Sequence, residues 1–314
     1  MTAARAAKGE PKADAPLDAD STALPAVAVT PLAKRKRSAK APSAAAALPA
    51  SPFACFAEPP PAAPPPPACL HAIEPPFVAP PPGRWRERFA ACCAACFEAN
   101  AHCVHHAERP LRLLLIGHNP STHAWASGYP YSNPSNRFWA LAAAGGLVPR
   151  GFGACDADAA PAAFGLGITD VGIAPGSDAG AFGRAAMRAW RGELYGRLRA
   201  HLRRAAAWER GDDADADDDD DDALAAYAPA LIAFAGKRQW KELFEPPLAN
   251  CAAGAQPAAL RPPGWPAALA ATEVWVLPSS SGRAVMTADE REGPYRQLGG
   301  RVATLPWPRQ QQQG

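Results

Sequence analysis

Two short segments of this 314-residue chain gather side chains that could do chemistry together. The first is Gly117-His118-Asn119-Pro120-Ser121, directly after the apolar run Leu111 to Ile116. Tyr131 follows it in the stretch Gly128-Tyr129-Pro130-Tyr131. The second is Ser279-Ser280-Ser281-Gly282-Arg283, just after the apolar run Val274 to Leu277. A carboxamide such as that of Asn119, on a loop stiffened by Pro120, can orient a water but is no strong base. Serine hydroxyls and loop amides suit contact with phosphate oxygens. Other chemistries find less support. No Gly-x-Ser-x-Gly is present, which argues against a serine hydrolase. Gly236-Lys237 lacks the upstream glycine of a phosphate loop, so nucleotide hydrolysis is unsupported.

To bring such residues together, the chain needs strands that end at both loops. Leu111 to Ile116, Phe164 to Val171, Leu231 to Ala235 and Val274 to Leu277 read as buried strands. Between them lie helical patterns. Trp85 to His106 reads as an Ala-rich helix with Phe89, Cys93, Cys96 and Phe97 at helical spacings. Pro134 to Ala144 reads as a second, with Asn133 as N-cap and Gly145-Gly146 at its end. A long third helix carries Met187, Trp190, Leu194, Leu198 and Leu202 on one face. Strands alternating with helices predict an α/β fold: a three-layer sandwich with a central, mainly parallel sheet flanked by helices. Ligands of such sheets sit beyond the carboxyl ends of the strands, where both loops fall.

Composition sets the limits of this domain. The 37 prolines and 25 glycines are too many for one compact fold. Residues 1–83 lack an apolar period and hold thirteen prolines between Ala50 and Gly83, so they are expected to be a disordered Ala/Pro-rich tail. Its basic knot, Lys34 to Arg37 with Lys40, suits nuclear import or phosphate contact, and nuclear placement is the expectation. The domain is expected over 84–310, with a tail at 311–314. An acidic insert at about 209–223 is expected to be disordered, because like charges repel and stay solvated. Of 30 acidic residues against 32 basic ones, nine are aspartates between Asp212 and Asp222, so the rest of the chain is basic and favours a polyanionic partner. No apolar run approaches the roughly 18–20 residues that span a bilayer, so no membrane partner is expected.

The two loops resemble motifs of the mismatch-specific uracil/thymine-DNA glycosylases of the uracil-DNA glycosylase superfamily. That family carries Gly-Ile-Asn-Pro-Gly after its first strand, then a base-stacking aromatic and an Asn-x-Phe-Trp helix. Here Gly117 to Ser121, Tyr131 and Asn136-Arg137-Phe138-Trp139 stand in that order. Gly167-Ile168-Thr169-Asp170 and Pro175-Gly176-Ser177 resemble two further family segments, and Leu277 to Arg283 resembles its Pro-Ser-rich motif. The resemblance covers about residues 110–300, omitting the acidic run.

It implies hydrolysis of the N-glycosidic bond of uracil, or thymine, mispaired with guanine in double-stranded DNA. The base would first be flipped from the stack. Asn119 would hold the water, and His118, Tyr131 and Asp170 would bind the base. Ser279, Ser280, Ser281, Gly282 and Arg283 would form the DNA-contacting wedge loop. It further implies a monomer that needs no metal and no organic cofactor. Each residue also has a plainer use: Asn119 as a turn residue, Tyr131 as a core aromatic, Asp170 as a helix cap, Arg283 as a surface charge. His118 and Ser121 replace an apolar residue and a glycine of the family, and Pro130 lies where thymine-active relatives tend to have His. These departures lean toward uracil. The alternative reading is a catalytically inactive, mismatch-sensing DNA-binding protein of the same fold. The cysteines from Cys92 to Cys103, beside His105 and His106, lack a second Cys-x-x-Cys pair and read as small buried thiols of a helix.

Overall fold

The computed structural model describes residues 85–99, 103, 105–211 and 220–307. The tails expected at 1–83 and 311–314, the basic knot and most of the acidic run lie outside the described residues.

In chain order the elements are α1 (Ala94–Glu98), β1 (Leu113–Gly117), α2 (Thr122–Ser127), α3 (Phe138–Ala144), α4 (Ala160–Phe164), β2 (Leu166–Asp170), α5 (Arg184–Arg210), α6 (Asp221–Leu224), β3 (Leu231–Phe234), α7 (Lys237–Lys241), β4 (Gly254–Ala255), β5 (Glu273–Val276) and α8 (Ala288–Ala303). Strands β2, β1, β3 and β5 are parallel neighbours in that order, and β4 pairs antiparallel at the β5 edge. Every residue of β1, β2 and β3 is buried, which is why their sequences are nearly continuous apolar runs.

Alternate side chains feed two cores. Leu114, Ile116, Ile232, Phe234, Val274 and Val276 pack with Met187, Trp190, Leu194, Leu198 and Leu202 of α5. Leu113, Leu115, Leu231, Ala233 and Trp275 pack on the other side with Phe138, Trp139 and Leu141 of α3 and with Tyr295, Leu298 and Val302 of α8. The fold is therefore α/β, with helices on both faces of a mostly parallel sheet. The β1-to-β2 connection runs over the α3 face, and the β2-to-β3 connection runs over the α5 face. The paths diverge at the carboxyl end of β1, where open sheets leave a crevice.

Three expected elements differ. Among the described residues of the helix predicted over Trp85 to His106, only Ala94–Glu98 are helical. The segment before it is extended, and Arg88 makes a β-bridge to Ile168 with backbone bonds of 2.8 and 2.9 Å. The helix predicted from Pro134 begins at Phe138. Asn133 does not cap it: its Oδ1 accepts from the Ser135 amide at 2.9 Å and the Ser135 hydroxyl at 2.8 Å, closing a local turn. Asn136 instead takes the Phe138 amide at 2.9 Å. Finally, the edges of the expected acidic insert are helical. α5 continues to Arg210, and Asp220 caps α6 by accepting from the Asp222 amide.

Candidate active site

A cleft of about 970 Å³ opens beyond the carboxyl ends of β1, β3 and β5. Its walls include all nine residues expected from the sequence: His118, Asn119, Tyr131, Asp170, Ser279, Ser280, Ser281, Gly282 and Arg283.

Asn119 is fixed by the loop after β2. Its Nδ2 donates to the carbonyls of Ala174 at 2.9 Å, Gly176 at 3.0 Å and Pro120 at 3.2 Å. Three acceptors around one end of the amide identify that end as the NH₂. Oδ1 lies 2.7 Å from Nδ1 of His118, which donates to it. The NH₂ is therefore turned into the protein, and the amide oxygen keeps one lone pair beyond the His118 bond. His118 sits edge-on to Trp190, with ring centroids 5.8 Å apart and planes at 81°. Burial pushes its imidazole below the usual histidine range, so the neutral ring is favoured. With Nδ1 protonated, Nε2 is left as an acceptor, and it is buried with no hydrogen-bond partner.

Tyr131 is packed on the core and also borders the cleft. One ring face lies on Phe138, with centroids 3.9 Å apart and an interplanar angle of 19°. The residue is only half-buried and lines the cleft. Its backbone has φ of 55°, a left-handed conformation uncommon for a bulky residue. Its hydroxyl is buried with no hydrogen-bond partner, and burial together with the Asp170 charge pushes it well above the usual phenol range.

Asp170 ends β2 and stands in register with Gly117 at the end of β1. The next helical turn begins only at Ala179 and is capped by Asp178, so Asp170 caps no helix. Burial, aided by the nearby Glu87 charge and opposed by Arg197, pushes its carboxyl up to about 7. The Asp170 carboxyl packs directly over Gly117, so a side chain there would have to displace it.

The serine-rich loop is held against the turn before α3. The Arg137 amide donates to the Ser280 carbonyl at 2.9 Å, and a side chain on Gly282 would come within 2.5 Å of the Ser135 carbonyl oxygen. Ser279 Oγ accepts from the Ser281 amide at 3.2 Å, and Ser281 Oγ accepts from the Arg283 amide at 3.3 Å. Those hydroxyls shape the loop while each keeps its own proton to donate. Arg283 and Val285 stand exposed beyond them. The loop ends at the cap of α8, where Thr287 and Glu290 form a reciprocal capping box.

Other lining residues escaped the sequence reading. Trp85 reaches the cleft from the segment taken for helix. Lys237, set aside with Gly236 for want of a phosphate loop, also lines it. Arg238 donates to the carbonyls of Ala179 and Phe182, tying down the 179–182 turn. Ser121 caps α2, accepting from the Ala124 amide at 3.1 Å. That explains its place in the loop without reference to a ligand.

The arrangement offers an amide oxygen with a spare lone pair, a partly exposed aromatic ring, a carboxyl with a raised pKa and a hydroxyl-lined loop with one cation. No family model and no curated protein sequence matches the chain.

Proposed function

We propose that this chain is a monofunctional DNA glycosylase of the uracil-DNA glycosylase type, hydrolysing the bond between deoxyribose and a uracil opposite guanine, with thymine as the weaker substrate. The observation that carries the reading is the convergence of Asn119, Tyr131 and the Ser279–Arg283 loop on one cleft, though 160 residues of sequence separate the first from the last.

A flipped pyrimidine would lie against the open face of Tyr131, a contact worth roughly 1–3 kcal/mol. Asn119 Oδ1 would accept from a water and aim its oxygen at the sugar. Having no base to deprotonate that water, the reaction would depend on departure of the pyrimidine as an anion. Asp170 bears on that step: a neutral carboxyl leaves the departing anion unopposed, and an ionised one repels it. Ser279, Ser281 and Lys237 suit flanking phosphates. Arg283, with Val285 beside it, would enter the gap left by the extruded nucleotide.

One observation favours the rival reading, a binding module without catalysis. The Asn119 NH₂ is saturated, and its oxygen already accepts from His118. The two readings part in one experiment. Duplexes carrying uracil or thymine opposite guanine are incubated with the full chain, then heated in alkali to cut abasic sites. Cleavage that Asn119→Ala abolishes while duplex binding persists supports the enzyme. Binding without cleavage by the unaltered chain establishes the module, and neither binding nor cleavage overturns both.

A further inference from the structure

We propose that Cys93, Cys96, Cys103 and His105 form a structural zinc site that staples the segment preceding β1. One ligand atom from each of these residues lies within 4.8 Å of all the others. With Zn–S near 2.3 Å and Zn–N near 2.0–2.1 Å, two ligands of a single ion lie no more than about 4.6 Å apart, so the set is close to what one ion requires. The closest contacts agree. His105 Nδ1 is 3.3 Å from Cys93 Sγ and 3.7 Å from Cys96 Sγ, bracketing the roughly 3.5 Å expected between sulfur and nitrogen on a tetrahedral zinc. An iron–sulfur cluster would divide its ligands among two or more irons and so set some of them wider apart.

The surroundings are also those of bound thiolates. The Cys96 amide points at Cys93 Sγ at 3.4 Å, and the Cys93 amide points at Cys103 Sγ at 3.5 Å. His106 Nδ1 lies 3.2 Å from Cys103 Sγ, placed to donate to it. Such outer bonds hold thiolate ligands in place. Among the described residues no disulfide forms, although four cysteines lie between Cys92 and Cys103. Cys96 and Cys103 are buried, while Cys93 is half-buried and His105 exposed, leaving an ion a way in. Binding is a simple exchange: three thiols release their protons to solvent, and Zn²⁺ takes three thiolates and one neutral imidazole.

The site lies within an excursion whose two ends meet at one side chain. Phe89 stacks on the His201 ring, with centroids 4.6 Å apart, and Glu108 Oε2 lies 2.5 Å from His201 Nδ1. Between these anchors the helical content among the described residues is the five residues of α1, too few for a segment to hold itself together. A metal would supply the missing internal constraint. The same segment carries Trp85 to the cleft and Glu87 to β2.

The test uses the full chain, purified under reducing conditions and dialysed against a mild chelator, with metals measured by plasma mass spectrometry. About one zinc per chain is expected. Cobalt(II) added to zinc-stripped protein should give the visible bands of a tetrahedral ion with thiolate charge transfer. Cys96→Ser and Cys103→Ser should each lower zinc affinity about tenfold or more. His105→Cys and Cys155→Ser should retain the metal, the latter because Cys155 is exposed and outside the cluster. No zinc together with no cobalt spectrum would overturn the site. Iron with acid-labile sulfide, or undiminished zinc in both serine variants, would do the same. None of these readouts depends on DNA cleavage.

Discussion

Asn119 Nδ2 donates to the Gly176 carbonyl at 3.0 Å, so the loop after β1 is closed by the loop after β2. With the Ala174 and Pro120 carbonyls beside it, this pocket is built for an NH₂ group. A carboxylate there would face three carbonyl oxygens and bring no donor. Asn119→Asp is therefore expected to cost about 1–3 kcal/mol of stability at neutral pH. The introduced acid regains a donor only when protonated, so its folded-state pKa is raised above its unfolded value. The deficit should then shrink as pH falls toward about 4. Thermal melts at pH 8 and pH 5 test this; an equal deficit at both would mean that the carbonyls do not contact the side chain.

The Asp170 carboxyl gives a second pH signature. Burial lifts its folded pKa to about 7, well above the ordinary aspartate range near 4. From about pH 4 to 7 the unfolded chain has lost this proton and the folded chain retains it, so stability falls as pH rises through that window and levels off beyond it. Asp170→Asn has no proton to lose. Its melting temperature relative to the unaltered chain should therefore climb between about pH 4.5 and 7.5. If the glycosylase reading holds, cleavage should decline above about pH 7 in the unaltered chain, and less so in the variant. A flat difference in melting temperature across that range would mean that the carboxyl is solvated.

How much of this could be read from the residues in order depends on where each partner lies. The strands were legible because burial on both faces leaves a continuous apolar run, and α5 because one stripe of it is buried. The loops after β1 and β5 were legible because glycine, proline and serine mark turns. The segment from Trp85 to Glu108 was not. Its alanines and cysteines have helical spacing, yet its position is set by distant partners: Arg88 by Asp158, 70 residues on, and Glu108 by His201, 93 residues on. Likewise Asn119 is oriented by carbonyls 55 and 57 residues away, so the sequence could mark the amide but not its direction. Asn133 misled for a local reason. Its side chain can close a turn or cap a helix, and Ser135 two residues on took it.

Tyr131 separates packing from recognition. Its hydroxyl is buried without a hydrogen-bond partner, and an unmet polar group of this kind costs about 1–3 kcal/mol. Tyr131→Phe should leave the melting temperature unchanged or raise it, and should keep the ring on Phe138. Tyr131→Ala removes the platform and should weaken binding to a uracil-containing duplex by roughly 1–3 kcal/mol, about five- to 150-fold. If both variants bind as the unaltered chain does, the ring belongs to the core and not to the ligand.

Gly117 is constrained from the other side of the same junction. A Cβ on it would strike the Asp170 carboxylate and come within 2.7 Å of the Tyr131 hydroxyl. Gly117→Ala must therefore displace a side chain that the proposed reaction uses. Crowding of this kind in a packed site costs about 1–3 kcal/mol. Cleavage should fall further than stability alone accounts for, because the displaced groups line the cleft. The double variant Gly117→Ala with Tyr131→Phe removes one of the two collisions and should recover part of the lost melting temperature. No recovery would place the strain wholly on Asp170.

The segment before β1 is joined to the site by a buried ion pair. Glu87 Oε1 lies 2.5 Å from Arg197 Nε and accepts from Thr169 Oγ1 at 2.8 Å. Arg197 Nη2 in turn donates to the carbonyls of Asp170 at 2.6 Å and Val171 at 3.1 Å. Both side chains are more than nine-tenths buried, so removing one partner strands a charge in the interior. Glu87→Ala is expected to cost about 3–5 kcal/mol, whereas replacing both residues by Leu and Met of similar volume should cost much less. Urea unfolding of the two variants measures the difference. A single variant no less stable than the double would show that solvent reaches the pair. The carboxyl of Asp170 supplies an independent check. Removing Glu87 takes away a negative neighbour, and leaving Arg197 without its partner strengthens the positive one, so both changes lower its pKa. If the glycosylase reading holds, the alkaline decline in cleavage should therefore move to lower pH in Glu87→Ala.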